Sequence, residues 1–205
     1  MDQKTKNFIS HVRRECKKHK IDFKLVNRKN VYLALEKTKC NGYFDEVKLC
    51  CAINKSVEDW LPILVHEYSH MEQWLDKKSK IWEVINVNGE DISDQPFLWA
   101  KGIKRIKRDK LEDCVKRVRT LELDCEKRVV VNIKKFKLPI NIKTYIQKAN
   151  TYVYFYHWIL ARKKWYKIGQ IPYEIEEIYS QMPIVFRESY AIIPQKYLKL
   201  FDKYC

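Results

Sequence analysis

The sequence is poor in the residues that interrupt a fold, and it lacks the patterns that mark a membrane-spanning or secreted protein. Only four of its 205 residues are glycine. No stretch rich in proline, glycine and serine marks a linker and no segment repeats, so a single domain over 1–205 is the default expectation. The longest apolar run, 152–161, is far shorter than the roughly 20 residues that cross a bilayer. The opening MDQKTKNFISHVRREC has no apolar core ahead of a small-residue cleavage site. Neither a membrane partner nor secretion is expected.

No CxxC pair occurs among the seven cysteines, which number an odd count: Cys16, Cys40, Cys50, Cys51, Cys114, Cys125 and Cys205. Reduced thiols in a cytoplasm are the economical reading. A zinc site built from Cys40, Cys50 and Cys51 is disfavoured by their spacing, and these residues read as strand positions.

What the chain does have is aromatic and basic. Six Trp, thirteen Tyr and eight Phe within a 46% hydrophobic composition exclude disorder and suffice for a sizeable core. The formal charge of +15 is concentrated at 101–110, 116–119 and 132–137. Attraction to nucleic acid or another acidic surface is one reading of these stretches, and solvated helix faces are the other.

The fold class expected is α+β. Phe8, Ile9, Val12 and Cys16 recur at helical spacing in the first stretch. Segments 21–26 and 31–35 alternate apolar with polar residues and read as two strands joined by a polar turn at 27–30, with further strands at 42–45 and 47–53. Residues 1–54 thus predict a helix on a small, mainly antiparallel sheet. Ser56 followed by Asp59 resembles a helix cap opening a motif helix over 57–76, and Pro62 suggests a start nearer Trp60. The stretch 77–108 reads as irregular, with DISDQPFLWAKG an aromatic-bearing loop. Long helices follow at 110–131 and from 142 to 166, inside a helical C-terminal part that runs to 205.

Inside the motif helix, LVHEYSHMEQW places His66 and His70 four residues apart, about 40° apart around the axis, so both imidazoles leave one face. That geometry suits one zinc ion, because neutral imidazole binds it well and three protein ligands leave a fourth position for water. Glu67 lies beside the pair and can serve as general base. The bland alternative is a buried histidine pair on an ordinary helix. Apolar residues on both sides of the motif weigh against it, since two buried imidazoles need partners.

A third ligand is suggested by the helix at 110–131. Its apolar stripe reads Leu111, Cys114, Val115, Val118, Leu121, Cys125 and Val129, and Glu122 falls inside that stripe while Asp124 and Glu126 read as solvated. A carboxylate on a core-facing stripe needs a positive partner, and a metal ion supplies one. An edge strand at 42–45 could pair with a peptide backbone and lay the scissile bond across the metal.

On these residues, HEYSH followed downstream by LELDCE, the chain resembles the zincin metallopeptidases whose third ligand is glutamate, and it is similar to the ImmA/IrrE-like group. In that group a small sheet precedes the HExxH helix, and a later helix carries Glu, two residues, a small residue, then Asn or Asp. Here Cys125 stands as the small residue and Glu126 in place of Asn or Asp. The resemblance implies a zincin-like fold, Zn2+ on His66, His70 and Glu122, and hydrolysis of a protein or peptide substrate.

Several competitors remain in view. The metzincin pattern would make Asp76 the third ligand but needs glycine where this chain has Gln73. A di-iron carboxylate site would need a second ExxH, and none of His11, His19 or His157 has Glu three residues before it. A basic nucleic-acid-binding protein with a structural or inactive zinc site is the alternative from another class. Oxyanion stabilisation would fall to Tyr156 or His157, the polar tips in TYVYFYHWILA, both of which also read as aromatic core.

Overall fold

A computed structural model describes residues 1–32, 39–166 and 170–205. They form an α+β structure that divides into two compact units. The first unit is 1–80 with 125–140, and the second is 81–124 with 141–205.

The first unit opens with α1 (Gln3–Lys18), capped by the Asp2 carboxylate, which accepts a 2.7 Å bond from Thr5 N–H. Its apolar stripe, Phe8, Ile9, Val12 and Cys16, is buried as the spacing predicts. Among the described residues five short strands follow: β1 (Asp22–Val26), β2 (Val31–Tyr32), β3 (Lys39–Cys40), β4 (Gly42–Phe44) and β5 (Lys48–Ala52). The motif helix α2 (Val57–Leu75) closes this run.

The central sheet has the order β1-β5-β4, with β1 parallel to β5 and β4 antiparallel to it. β1 therefore does not form a hairpin with β2, which pairs with β3 instead. The reason lies in β5. Leu49, Cys50, Cys51 and Ala52 are all buried, so this strand is covered on both faces and takes the sheet centre, with a neighbour on each side. The remaining residues of the strand expected at 31–35, 33–35, lie outside the described residues. Among the described residues three of the four strand pairings are antiparallel.

Ser56 caps α2 as its sequence suggests, its hydroxyl oxygen accepting from Asp59 N–H at 3.3 Å. Pro62, however, sits inside the helix rather than in its first turn. The proline forgoes one backbone bond. The cap and the burial of Trp60, Leu61, Leu64 and Val65 hold the preceding turn helical nonetheless.

In the second unit a 3-10 turn (Ile81–Ile85) leads to the hairpin β6 (Asn86–Val87) and β7 (Glu90–Asp91), then to α3 (Gln95–Ala100). The aromatic stretch expected as loop thus contains a short helix, opened by Pro96, whose fixed φ suits a first turn. Next come α4 (Arg108–Phe136), α5 (Ile142–Arg162), a 3-10 turn (Pro172–Glu174), α6 (Glu176–Tyr179) and α7 (Gln195–Tyr204). α5 stops at Arg162, short of 166, because Lys163 turns left-handed with φ 52°. The unit's core gathers Leu111, Val115, Val118, Tyr154, Trp158 and Phe201. α4 runs through the division, and its residues from Cys125 onward belong to the first unit. Among the described residues no helix is long and apolar enough to cross a membrane.

Candidate metal centre

His66 and His70 leave α2 on one face, as the four-residue spacing dictates, and their Nε2 atoms stand 3.1 Å apart. Tetrahedral coordination with metal–nitrogen bonds of about 2.0–2.1 Å places two ligand nitrogens roughly 3.3 Å apart. The observed separation is close to that.

Each ring is held at its other nitrogen. His70 Nδ1 lies 2.8 Å from Oε1 of Gln73, a fully buried residue one turn further along α2. An amide oxygen only accepts, so Nδ1 carries the proton and Nε2 presents a lone pair. His66 Nδ1 has Glu126 Oε1 at 3.4 Å and Cys125 Sγ at 3.7 Å. Burial alone disfavours a charged His66, but Cys125 and Glu126 outweigh that effect and raise its pKa well above the usual imidazole value. The pocket therefore favours a positive charge at this ring, whether proton or metal.

Cys125 also donates to the His66 carbonyl at 3.4 Å, so α4 and α2 approach closely here, as a small residue allows. His66, His70 and Cys125 offer ligand atoms that all lie within 4.8 Å of one another. Cys125 sits at the Nδ1 edge of His66, away from the nitrogen that faces His70.

Glu67 follows His66 on α2 and lies against the sheet. A Cβ built on Gly42 would stand 3.0 Å from Glu67 Cγ and 2.9 Å from Ile63 Cγ2. Only glycine lets β4 come this close. β4 is the edge of its sheet among the described residues. The bonds Ala52 N–H to Asn41 O at 2.9 Å and Asp45 N–H to Lys48 O at 3.1 Å turn the odd-numbered residues of this strand toward β5. By alternation, the backbone N–H and C=O of Gly42 point to the other edge, next to Glu67.

Glu126 was expected to be solvated, yet it is only 5% exposed. Around it α4 buries Cys125, Glu126, Val129, Val130, Asn132 and Ile133, a wider arc than the single stripe in the pattern. Glu122 lies one turn earlier on the same helix face, in the part of α4 that belongs to the second unit. It is half-buried, and within that unit Tyr152 and Tyr156 have pKa values pushed well up, first by burial and then by the Glu122 charge. The Tyr156 and Tyr152 hydroxyls bond each other at 2.9 Å. His157 Nε2 lies 2.7 Å from the Tyr190 carbonyl and beside Arg119, and burial followed by the Arg119 charge lowers its pKa.

Asp76, the ligand under a metzincin pattern, accepts from Arg128 at 2.9 Å and from Ser79 N–H at 3.3 Å. In the basic stretches, Lys104, Arg108 and Arg117 pair with Glu90, Glu112 and Asp113. Sequence reasoning missed Gln73 as part of the site; it placed Glu126 in the resemblance's motif but read its side chain as solvated, and it named the edge strand at 42–45 without the close approach of Gly42 to Glu67. The i, i+3 spacing of His70 and Gln73 was the one local signal available.

No family model, curated protein or solved structure matches this chain.

Proposed function

We propose that the chain is a zinc-dependent metallopeptidase, a hydrolase of peptide bonds. The observation that carries this reading is the pair of Nε2 atoms 3.1 Å apart, with a partner at each Nδ1. Two facing imidazole nitrogens need a positive charge between them, and a shared proton or a metal bound by both lone pairs supplies it; the HExxH spacing with Glu67 beside the pair favours the metal.

His66 and His70 would hold the metal. Cys125 occupies the Nδ1 edge of His66, away from the nitrogen that faces His70. Glu126 meets His66 at that same edge, which fits the carboxylate that commonly steadies a metal-bound histidine. Bound there, zinc would polarise the scissile carbonyl and lower the pKa of water from about 15.7 toward 7. Glu67 would take a proton from the attacking water and return it to the leaving amine.

The substrate is a peptide in extended form. The outward backbone groups of Gly42 can pair with it by strand addition, which sets the peptide beside Glu67. Both oxyanion candidates are already bonded, His157 to the Tyr190 carbonyl and Tyr156 to the Tyr152 hydroxyl, so neither is carried forward. Seven free cysteines fit a reducing compartment such as the cytoplasm.

Glu67→Gln should keep zinc bound and abolish cleavage. Metal analysis of the wild type beside His66→Ala checks the premise: no zinc in the wild type, or equal zinc in both, sinks it. The nucleic-acid alternative is tested in the Glu67→Gln protein, where salt-sensitive DNA binding, with no cleavage by the wild type, would favour it.

A further inference from the structure

The structure assigns Gln73 as a positioning residue for the metal: its amide fixes the tautomer and aim of His70. This rests on the zinc reading above. Gln73 is fully buried on α2, three residues after His70, with Oε1 2.8 Å from the ring Nδ1. Burying an amide is unfavourable unless its polar atoms are bonded. If filling space were the whole role, leucine or methionine would serve without that cost.

The bond has a chemical consequence that packing lacks. Neutral imidazole carries one proton, and an acceptor at Nδ1 draws it there. Nε2 is left with its lone pair directed at His66 Nε2, 3.1 Å away. Without the acceptor the proton can move to Nε2, and the ring can rotate about its own bond to the helix. Either change removes a ligand.

The two histidines are also supported differently. His66 has a carboxylate near Nδ1, Glu126 at 3.4 Å, whereas His70 has a neutral amide at 2.8 Å. The charged partner favours a positive ion near His66. The amide adds direction without adding charge, so the site gains orientation at His70 without a second buried anion. Gln73 also stands where a metzincin pattern would place its glycine, so this chain uses the position to hold His70 rather than to turn away from the helix.

The experiment is a chelator-competition titration of zinc affinity, on the full chain, for wild type, Gln73→Met and Gln73→Glu. Methionine has a similar length but cannot stand in for the amide acceptor, and glutamate keeps an acceptor oxygen. The expected result is a loss of roughly 10–100-fold in zinc affinity for Gln73→Met, with affinity kept in Gln73→Glu. Helical circular dichroism and the melting temperature of the metal-free proteins are read alongside. Equal affinity of wild type and Gln73→Met overturns the inference while leaving the zinc reading intact. A wild type that binds no zinc overturns the zinc reading itself. Because a variant can fail to fold, nitrogen NMR of His70 in the metal-free wild type provides a second measurement. A proton on Nδ1 supports the bond, and a proton on Nε2 alone overturns it.

Discussion

Replacing Gly42 by alanine puts a methyl carbon 2.9 Å from Ile63 Cγ2, 3.0 Å from Glu67 Cγ and 3.1 Å from the Cys50 carbonyl oxygen. Carbon atoms rest at about 3.5–4.0 Å, so the two carbon contacts are short by roughly half an ångström or more, and the contact with the Cys50 oxygen is tight by about a few tenths. The Cys50 oxygen belongs to the central strand, which is fixed by neighbours on both sides and cannot retreat. Ile63 and Glu67 project from a helix whose next residues, Leu64 and Val65, are fully buried. What remains is for β4 to lift from α2 or for Glu67 to change rotamer. Overpacking of this kind costs about 1–3 kcal/mol. The ordinary gain from replacing a strand glycine, about 0.5–1 kcal/mol, offsets part of it. The net loss should be about 1–2 kcal/mol, a fall of roughly 2–8 °C in melting temperature for a chain of this size. The effect on cleavage should be larger, because displacing a catalytic group by about 1 Å can cost on the order of 100-fold. Zinc content should not change, since neither histidine is touched. Gly89→Ala is the control: Gly89 has φ +82° and nothing within 4 Å of the added carbon, so the change strains only its own hairpin turn in the second unit. Thermal melts, metal analysis and peptide cleavage on both variants decide the matter. A Gly42→Ala protein that melts as high as wild type and cleaves as fast would refute the close approach of β4 to Glu67.

Two further perturbations address the scaffold. Asp202 accepts from Trp158 Nε1 at 2.9 Å and twice from Arg162, at 2.8 and 2.7 Å, and the Arg162 bonds hold its pKa down to about 2. Its folded value lies below the usual one, so this stabilisation is complete above the ordinary aspartate range, about 4, and is lost as pH falls toward 2. Both side chains are more than one-third exposed, so screening limits Asp202→Ala to a loss of about 1 kcal/mol, to be read from denaturant melts at neutral pH. His11, bonded to Tyr68 at 2.9 Å, has its pKa lowered by burial. The folded protein therefore favours neutral His11, and stability present above the ordinary value of 6.5 should decline as pH falls below it. Comparing melting temperatures at pH 7.5 and 5.5, roughly one unit either side of that value, His11→Gln should show a smaller decline than wild type, and an equal decline would count against this assignment.

The HExxH helix was legible because its information is local. Ser56 caps it, four-residue spacing puts His66 and His70 on one face, and Glu67 must follow. The apolar stripe of α4 was legible for the same reason, since periodicity alone places Val115, Val118 and Cys125 inward. Only the tertiary structure decided what meets those faces. The parallel pairing of β1 with β5 joins segments separated, among the described residues, by three other strands, and no spacing rule fixes such a pairing. Glu126 is buried because α4 is covered over a wide arc at this point, which a one-stripe pattern does not show. The sequence offers 42–45 as an edge strand, but only the folded chain shows that the missing side chain of Gly42 brings that strand against Glu67. Gln73 lies between these cases: its spacing from His70 is written in the chain, but its acceptor role depends on a ring orientation that exists only after folding. Helical periodicity states which side chains share a face. The partners of that face are set by contacts distant in sequence, and those determine whether two histidines can form a metal site.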